Sequence, residues 1–240
     1  MYLMLTHISK EDPRLHVVNI KYPGETGDVL AHFTRPKGDK KYPGVVVIHE
    51  NRGLNSHTEE VARRVALEGF LAIAPDAVSP LGGTPEDVDE ARSLMRKLDS
   101  QETVKNFVAA VEYLKTHPQS TGKVGVTGFC WGGGLTNQVA VNSPDVQAAV
   151  PFYGRQPDTG DVSKFKGALL AHYAGTDERI NEGIPAFEDA LKEASIEYEI
   201  FIYEGAGHAF FNDTSSRYHE EASKLAWERT IKFFKEKLKT

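Results

Sequence analysis

The chain of 240 residues contains a single cysteine, Cys130, and therefore cannot form an internal disulfide. Because disulfides are typical of oxidising compartments, we expect a reducing, cytoplasmic location. No stretch approaches the roughly 20 apolar residues that a membrane-spanning helix needs. The N-terminus, from Met1 to His7, lacks the basic segment and the long apolar run of a secretion signal. The sequence thus gives no indication of a membrane or secreted protein.

Basic residues are fewer than acidic ones, and the common spacings of metal ligands are absent from the sequence. The formal net charge is −6, which disfavours nucleic acid and anionic membranes as partners. Nine histidines are present, but none has the His-x-x-x-His or Cys-x-x-Cys spacing of common metal sites. We therefore expect no metal and no organic cofactor, and a small molecule as the partner. The oligomeric state stays open.

Apolar patterning predicts a regular alternation of strands and helices. Segments 16–21 and 29–34 have the period of strands and are expected to form an antiparallel hairpin at a sheet edge. The β-branched run 44–48 is typical of a parallel strand buried on both faces. The predicted strands are 16–21, 29–34, 44–48, 70–74, 123–126, 146–152, 168–173 and 197–203, and the predicted helices are 58–68, 86–98, 102–116, 135–141, 184–194 and 218–238. This order predicts an α/β fold, a mainly parallel sheet with helices on both faces, as one domain over residues 1–240.

A tight glycine-rich turn joins the strand around Val126 to the following helix. It has the form Gly-x-nucleophile-x-Gly, with Cys130 at its tip and Gly128 and Gly132 on either side. Residues at these two positions must be nearly without side chains, or the strand and the helix would collide. Unpaired N–H groups at the start of the helix favour a thiolate and a developing oxyanion. The alternatives are a buried structural cysteine and an ordinary glycine turn. A phosphate loop is excluded, because neither Gly-x-Gly-x-x-Gly nor a following Lys-Ser/Thr pair is present.

Four polar residues, Glu50, Cys130, Asp177 and His208, each follow the end of a predicted strand. In a parallel sheet these ends share one edge, so residues distant in sequence can meet there. The order nucleophile, acid, base is that of α/β-hydrolases, and it predicts Cys130 as nucleophile, His208 as base and Asp177 as orienting acid. Alternatively, Asp177 is a helix cap and His208 a surface histidine. Weaker candidates for the acid are Asp76, Asp158 and Asp213.

Three further motifs accompany the turn around Cys130: His49-Glu50-Asn51-Arg52-Gly53, Gly175-Thr176-Asp177 and Gly207-His208-Ala209-Phe210. With these four motifs in this order, the sequence resembles the dienelactone hydrolase family over nearly the whole chain. The resemblance implies an α/β-hydrolase fold with a triad of Cys130, Asp177 and His208. It also implies that Glu50 contacts the resting thiol and moves away when substrate binds. Since a thiolate beside a carboxylate is disfavoured, this gating role is physically reasonable. A structural ion pair between Glu50 and Arg52 is the alternative.

The tetrahedral intermediate of acyl transfer needs two N–H donors for its oxyanion. The backbone amide of Trp131, which follows the nucleophile, is expected to be one donor. The resemblance implies that the backbone amide of Asn51 is the other. Trp131, Tyr153 and Phe210 are candidate walls of the substrate pocket, although aromatic side chains occur equally often in an ordinary core.

One departure from the family leaves the substrate open. Dienelactone hydrolases hold a substrate carboxylate with two arginines, but segments 77–83 and 209–213, where these would lie, contain none. Arg52 and Arg155 are possible substitutes. We therefore expect a hydrolase of a small ester or lactone that forms an acyl-enzyme. The alternatives are a non-catalytic ligand-binding protein on the same fold, or a thioesterase or peptidase with the same site. A lactone site should be tight, whereas a peptide site should be an open groove.

Overall fold

A computed structural model describes residues 7–238, and within them eight strands form one sheet. The strands are β1 (Leu15–Gly24), β2 (Gly27–Pro36), β3 (Tyr42–Ile48), β4 (Leu71–Pro75), β5 (Ser120–Phe129), β6 (Val146–Phe152), β7 (Ala168–Ala174) and β8 (Tyr198–Tyr203). The α-helices are α1 (Ser56–Leu67), α2 (Val88–Met95), α3 (Ser100–Thr116), α4 (Trp131–Asn142), α5 (Glu178–Asn181), α6 (Ile184–Glu193) and α7 (Glu220–Lys237). The interpretation that the N-terminus lacks a secretion signal depends on residues 1–6, which lie outside the described part. None of the described helices has both the length and the apolar character that crossing a membrane requires.

The strand order across the sheet is β1-β2-β4-β3-β5-β6-β7-β8. Strands β1 and β2 pair antiparallel as a hairpin whose register runs from Leu15 opposite Pro36 to Gly24 opposite Gly27. Strand β2 joins the rest through an antiparallel pairing with β4, and strands β3 to β8 are all parallel to one another. The predicted α/β-hydrolase class, with an N-terminal hairpin at one edge, is confirmed.

The core lies on both faces of the sheet. In β3, Val46 and Ile48 belong to the cluster that packs against α2, α3, α4 and α6, whereas Val45 and Val47 belong to the cluster under α1 and α7. All four side chains are fully buried. Because both faces of a parallel strand are covered, its sequence is apolar at every position, and this produced the β-branched run seen in the sequence.

Two features of the region around Cys130 differ from the sequence expectation. Strand β5 begins at Ser120, three residues before the apolar run, because Ser120 still pairs with Tyr42 of β3. Helix α4 begins at Trp131, although the glycines that follow have a low helix propensity. These glycines permit backbone contacts with β3 and β6 that no larger residue would allow, so tertiary packing outweighs local propensity.

The carboxyl ends of the parallel strands bring the candidate residues together. Glu50 follows β3, Cys130 follows β5, Asp177 follows β7 and His208 follows β8. These four strands run parallel, so their C-terminal ends lie at one edge of the sheet.

The contact between α4 and β3 at Gly132 gives a stability prediction. A Cβ atom at this position would lie 2.4 Å from the carbonyl oxygen of His49 and 2.6 Å from that of Ile48. Because backbone cannot move aside cheaply, we expect Gly132→Ala to lower the free energy of unfolding by about 3 kcal/mol in urea titrations. The control is Gly160→Ala, where nothing lies within 4 Å of the added Cβ and the change should stay within about 0.5 kcal/mol. Equal effects of the two substitutions would contradict this explanation of the turn.

Candidate active site

Cys130 occupies a strained turn between β5 and α4. Its backbone angles are φ 56° and ψ −113°, in a region that residues with a side chain rarely adopt. Two hydrogen bonds hold it there: its N–H donates to the carbonyl of Phe152 at 3.0 Å, and its carbonyl accepts from the N–H of Gly134 at 3.1 Å. At Gly128 a Cβ atom would lie 2.3 Å from the carbonyl oxygen of Gly132. The glycine spacing is therefore a direct steric requirement of this turn.

His208 lies between Cys130 and Asp177. Its Nε2 is 3.0 Å from the Cys130 sulfur, and its Nδ1 is 2.5 Å from Oδ2 of Asp177. The loops that carry the acid and the histidine are joined, because the N–H and the hydroxyl of Thr176 both donate to the carbonyl of Ala206, at 3.1 and 3.2 Å. The structure thus brings the three predicted side chains into one hydrogen-bonded row.

The other carboxylates proposed from the sequence are engaged elsewhere or exposed. Asp76 accepts from the N–H and hydroxyl of Thr84 and from the N–H of Val78. Asp213 pairs with helix α1, and Asp158 is exposed in the loop after β6. Asp177 does stand at the first position before α5, but its side chain makes no capping hydrogen bond. Its carboxylate is therefore available to His208.

The Cys130 thiol is held in its protonated form in the resting structure. Burial is the largest cause that raises its pKa, to about 11, and the nearby Glu50 carboxylate raises it further in the same direction. The N–H of Trp131 opposes this by donating toward the sulfur. Deprotonation of the thiol therefore requires a change in its surroundings.

Glu50 is buried, with 8% of its surface exposed, and its carboxylate is close enough to raise the pKa of the Cys130 thiol. One carboxylate oxygen accepts a hydrogen bond from Nδ2 of Asn212 at 3.1 Å, and the other has no hydrogen-bond partner among the described residues. Arg52 is exposed and forms no ion pair with Glu50 in this part of the chain. The alternative of a structural Glu50–Arg52 pair is thus not supported, and only one of the two buried carboxylate oxygens of Glu50 is hydrogen-bonded within the described residues.

The backbone at Glu50 and Asn51 is held by His49, a residue that sequence reasoning missed. Its Nε2 accepts from the N–H of Ala77 at 3.1 Å, so its Nδ1 carries the proton and donates to the carbonyl of Glu50 at 2.6 Å. Burial lowers the pKa of His49, which keeps the ring in this neutral form. The ring also stacks on that of Trp131, with centroids 5.3 Å apart. His49 therefore connects the two segments that carry the expected oxyanion donors.

Cys130 and Trp131 line a cleft of about 940 Å³ between α3, α4 and the loop after β6. The apolar part of its lining includes side chains from Val104, Val108, Leu135 and Val141. Arg52, Tyr153 and Phe210, which were expected to form the pocket, are not among its lining residues. Tyr153 and Phe210 are buried at 1% and 0% exposure, and the Tyr153 ring lies 5.1 Å from that of His208. These two rings belong to the buried core next to the row of Cys130, His208 and Asp177 instead.

Arg155 is the cation of the cleft that no carboxylate neutralises within residues 7–238. Of the other basic residues in the lining, Lys105 pairs with Glu25 at 2.7 Å and Lys164 pairs with Asp161 at 2.6 Å. The carbonyl of Arg155 accepts from Nδ2 of Asn137 in α4 at 3.0 Å, which fixes its backbone beside that helix, while its side chain is exposed. Arg155 is thus free to meet a bound anion.

Metal ligands are not clustered in the described part of the chain, where no three His, Cys, Asp or Glu side chains come together in a suitable group. The absence of a metal or organic cofactor stays an expectation.

Comparisons with known proteins agree on one family. The model of the dienelactone hydrolase family matches residues 29–238. The "Putative carboxymethylenebutenolidase" of Escherichia coli (strain K12) is 32% identical over 232 residues, which cover 89% of this chain and 84% of that protein. A protein of the same name from Saccharolobus solfataricus is 31% identical over 254 residues, with 90% and 97% covered. The crystal structure of a "Putative Dienelactone Hydrolase" from Klebsiella pneumoniae has a TM-score of 0.83 at 28% identity, covering 92% of this chain and 98% of that one.

The position of Glu50 gives a prediction for the titration of the thiol. We expect the alkylation rate of wild-type Cys130 by iodoacetamide to rise with pH toward a midpoint near 11. Glu50→Gln keeps the shape of the side chain but removes its charge, so this midpoint should fall by about one unit or more. The rate is measured by intact mass, which reports one site because the chain has one cysteine. Glu193→Gln, an exposed position on α6, is the control and should leave the midpoint unchanged. An unchanged midpoint in Glu50→Gln would show that this carboxylate does not act on the thiol.

Proposed function

The chain belongs to the dienelactone hydrolase family and is an ester or lactone hydrolase, and we propose that it acts by acyl transfer through Cys130, His208 and Asp177. The observation that carries this proposal is the position of His208, 3.0 Å from the sulfur on one side and 2.5 Å from the carboxylate on the other. A base must reach its nucleophile, and the acid behind it must hold the correct tautomer. Both conditions are met in the resting structure.

In the first half of the reaction, substrate displaces Glu50 and the thiol gives its proton to Nε2 of His208. The thiolate attacks the carbonyl carbon, and the tetrahedral oxyanion accepts hydrogen bonds from the backbone amides of Trp131 and Asn51. As the intermediate collapses, the C–O bond breaks and the leaving alkoxide takes the proton from His208. With a lactone substrate, this alcohol stays attached to the acyl chain.

In the second half, His208 accepts a proton from water, and the resulting hydroxide attacks the thioester carbon. The C–S bond then breaks, the sulfur recovers the proton from His208, and the acid product leaves. Asp177 accepts a hydrogen bond from the Nδ1–H group throughout, and it stabilises the imidazolium that forms in each half. The stacked ring of His49 supports the Trp131 and Asn51 segments, so both oxyanion donors would be positioned before substrate arrives.

The cleft supports a substrate larger than a simple lactone. A volume of about 940 Å³ is near the upper end of the range that holds drug-sized ligands. We therefore propose an ester or lactone with an apolar portion that lies along Val104, Val108 and Leu135. A carboxylate on the same molecule would meet Arg155, which takes the part that the family's clamp arginines play elsewhere.

The alternative functions, a non-catalytic binding protein and a thioesterase or peptidase, have less support than ester or lactone hydrolysis. A non-catalytic binding protein would have no need of the row formed by Cys130, His208 and Asp177, nor of a strained cysteine backbone. The open cleft matches the groove expected of a peptide site better than the tight pocket expected of a small lactone, but membership of the dienelactone hydrolase family supports an ester or lactone.

The proposed base gives the first functional prediction. We expect His208→Ala to lower kcat/KM for p-nitrophenyl acetate by about 10²–10⁴-fold, because the thiol then has no proton acceptor. Release of p-nitrophenolate measures the rate, and mass spectrometry of rapidly quenched wild-type enzyme should detect one acyl group on Cys130. His16→Ala, at an exposed position on β1, is the matched control and should act like wild type. Undiminished turnover in His208→Ala, or in Cys130→Ala, would rule out the proposed reaction.

Arg155 gives a second prediction, on specificity. For an aryl ester that carries a remote carboxylate, we expect Arg155→Met to raise KM by about 10–100-fold, since a charge-assisted hydrogen bond is lost. KM for the neutral methyl-capped analogue should change less than twofold. Arg52→Met, the other arginine suggested by the sequence, is the comparison and should affect neither substrate. A larger effect of Arg52→Met would assign the anion to the turn after β3 instead.

A further inference from the structure

Asn212 makes the one hydrogen bond that the Glu50 side chain receives within residues 7–238. Its Nδ2 donates to Oε2 of Glu50 at 3.1 Å, and both side chains are buried. The other oxygen of Glu50, Oε1, has no hydrogen-bond partner in the same part of the chain. The placement of this carboxylate beside the Cys130 sulfur thus depends on a single amide.

The hydrogen bonds that the side-chain oxygen of Asn212 accepts determine the orientation of its amide. Oδ1 of Asn212 accepts from the N–H of Thr214 at 3.0 Å and from its hydroxyl at 2.6 Å. A flipped amide would turn its NH₂ group toward the Thr214 N–H and its oxygen toward the Glu50 carboxylate, and both contacts would be repulsive. Donation to Glu50 is therefore the only arrangement that satisfies both partners.

The segment that carries Asn212 is anchored at both ends. On one side, the N–H of Asn212 donates to the carbonyl of Ala209, the residue after His208, at 3.1 Å. On the other side, the carboxylate of Asp213 meets Nη2 of Arg64 at 2.5 Å and Nδ1 of His57 at 3.2 Å, both on α1. Asn212 thus sits in a rigid link between the catalytic histidine and the helix, which makes it a fixed point from which to hold a mobile carboxylate.

We propose that Asn212 is a positioning residue that latches Glu50 against the nucleophile in the resting enzyme, and that substrate binding opens this one bond. The inference rests on the proposed gating role of Glu50 and adds to it the group that sets the closed position. A neutral amide suits a latch that must open in each turnover, because its bond to a carboxylate is weaker than an ion pair with arginine would be. The orphaned Oε1 leaves no second bond to break.

Several charged or titratable groups act on the thiol, and the latch controls one of them. Glu50 reaches it from the loop after β3, Asp177 from the loop after β7, His208 from the loop after β8 and Arg179 from α5. Tyr153, after β6, also lies within the field of Glu50 and Cys130. Removal of the Asn212 amide leaves the other charged groups in place and allows the Glu50 carboxylate to move away from the sulfur. The pKa of the Cys130 thiol should therefore fall.

The test compares wild type, Asn212→Leu, Glu50→Gln and the double variant by the pH dependence of Cys130 alkylation with iodoacetamide. We expect Asn212→Leu to lower the midpoint by about one unit. At pH 8 the thiolate fraction would then rise about tenfold and its nucleophilicity fall about threefold, so the alkylation rate should rise about threefold. In the Glu50→Gln background, Asn212→Leu should shift the midpoint no further, because the charge it positions is gone.

Three controls separate positioning from a general structural role. Asn106→Leu removes another buried amide, which bonds Thr26 far from the thiol, and should leave the midpoint at its wild-type value. Thr214→Val removes one of the two bonds to Oδ1 and should shift the midpoint in the same direction by less. Asn212→Ser, whose side chain is too short to reach Glu50, replaces the leucine variant if that one does not fold.

The outcomes distinguish this inference from the proposed function. A midpoint that falls in Glu50→Gln but not in Asn212→Leu or Asn212→Ser would overturn the latch and leave the gate intact. A shift in Asn212→Leu that persists undiminished in the Glu50→Gln background would also overturn it, since Asn212 would then act without Glu50. If neither substitution moves the midpoint, both the gate and the latch are wrong, whereas ester turnover through Cys130 is judged by the His208 and Cys130 variants.

Discussion

The site depends on one steric constraint, the turn that carries Cys130. A cysteine at φ 56° is costly by itself, and it persists because the surrounding backbone leaves no alternative. Gly128, Gly132 and Gly133 each bring backbone within the distance that a single Cβ atom would occupy. The close approach that excludes larger residues also aims the sulfur at His208. The backbone geometry of this turn therefore determines both the close packing of its glycines and the position of the sulfur next to His208.

The same burial that builds the turn works against the nucleophile. It raises the pKa of the thiol to about 11, and the Glu50 carboxylate adds to the rise, so an isolated thiolate is not available at neutral pH. In the proposed mechanism, proton transfer to His208 follows the departure of the negative charge beside the sulfur. A charge that is buried, bonded at one oxygen and unpartnered at the other is well suited to such a movement, because little holds it in place. Such a gate would protect the resting thiol from adventitious alkylation and oxidation until a substrate is bound.

Local patterns in the sequence predicted the elements that depend on local physics. The β-branched run of β3 and the glycine spacing around Cys130 identified a buried parallel strand and a strained turn, because each pattern is a requirement of the backbone at that point. The start of α4 at Trp131 was missed, since contacts with β3 and β6 outweigh the low helix propensity of three glycines. Tyr153 and Phe210 were expected in the pocket, but an aromatic side chain has the same pattern whether it lines a cleft or fills a core. The Asn212–Glu50 bond joins residues 162 positions apart, and no local signal points to it.

Two features of the site can be explained together: the arginine that segment 209–213 lacks relative to the family, and the presence of Arg155 in the cleft. Segment 209–213 lacks the arginine that would hold a substrate carboxylate, and within it Asn212 bonds Glu50. An arginine there would pair with the buried carboxylate and strengthen the closed state, since a positive charge with two parallel N–H donors holds a carboxylate more firmly than a single amide N–H does. Under the proposed mechanism, an amide in its place frees the recognition of an anion from competition with the gate. Arg155, which lines the cleft and forms no ion pair within the described residues, would then bind the anion without pairing with Glu50. The proposed gate and the proposed anion site would thus be separate, so the affinity for an anionic substrate and the ease of thiol activation could vary independently.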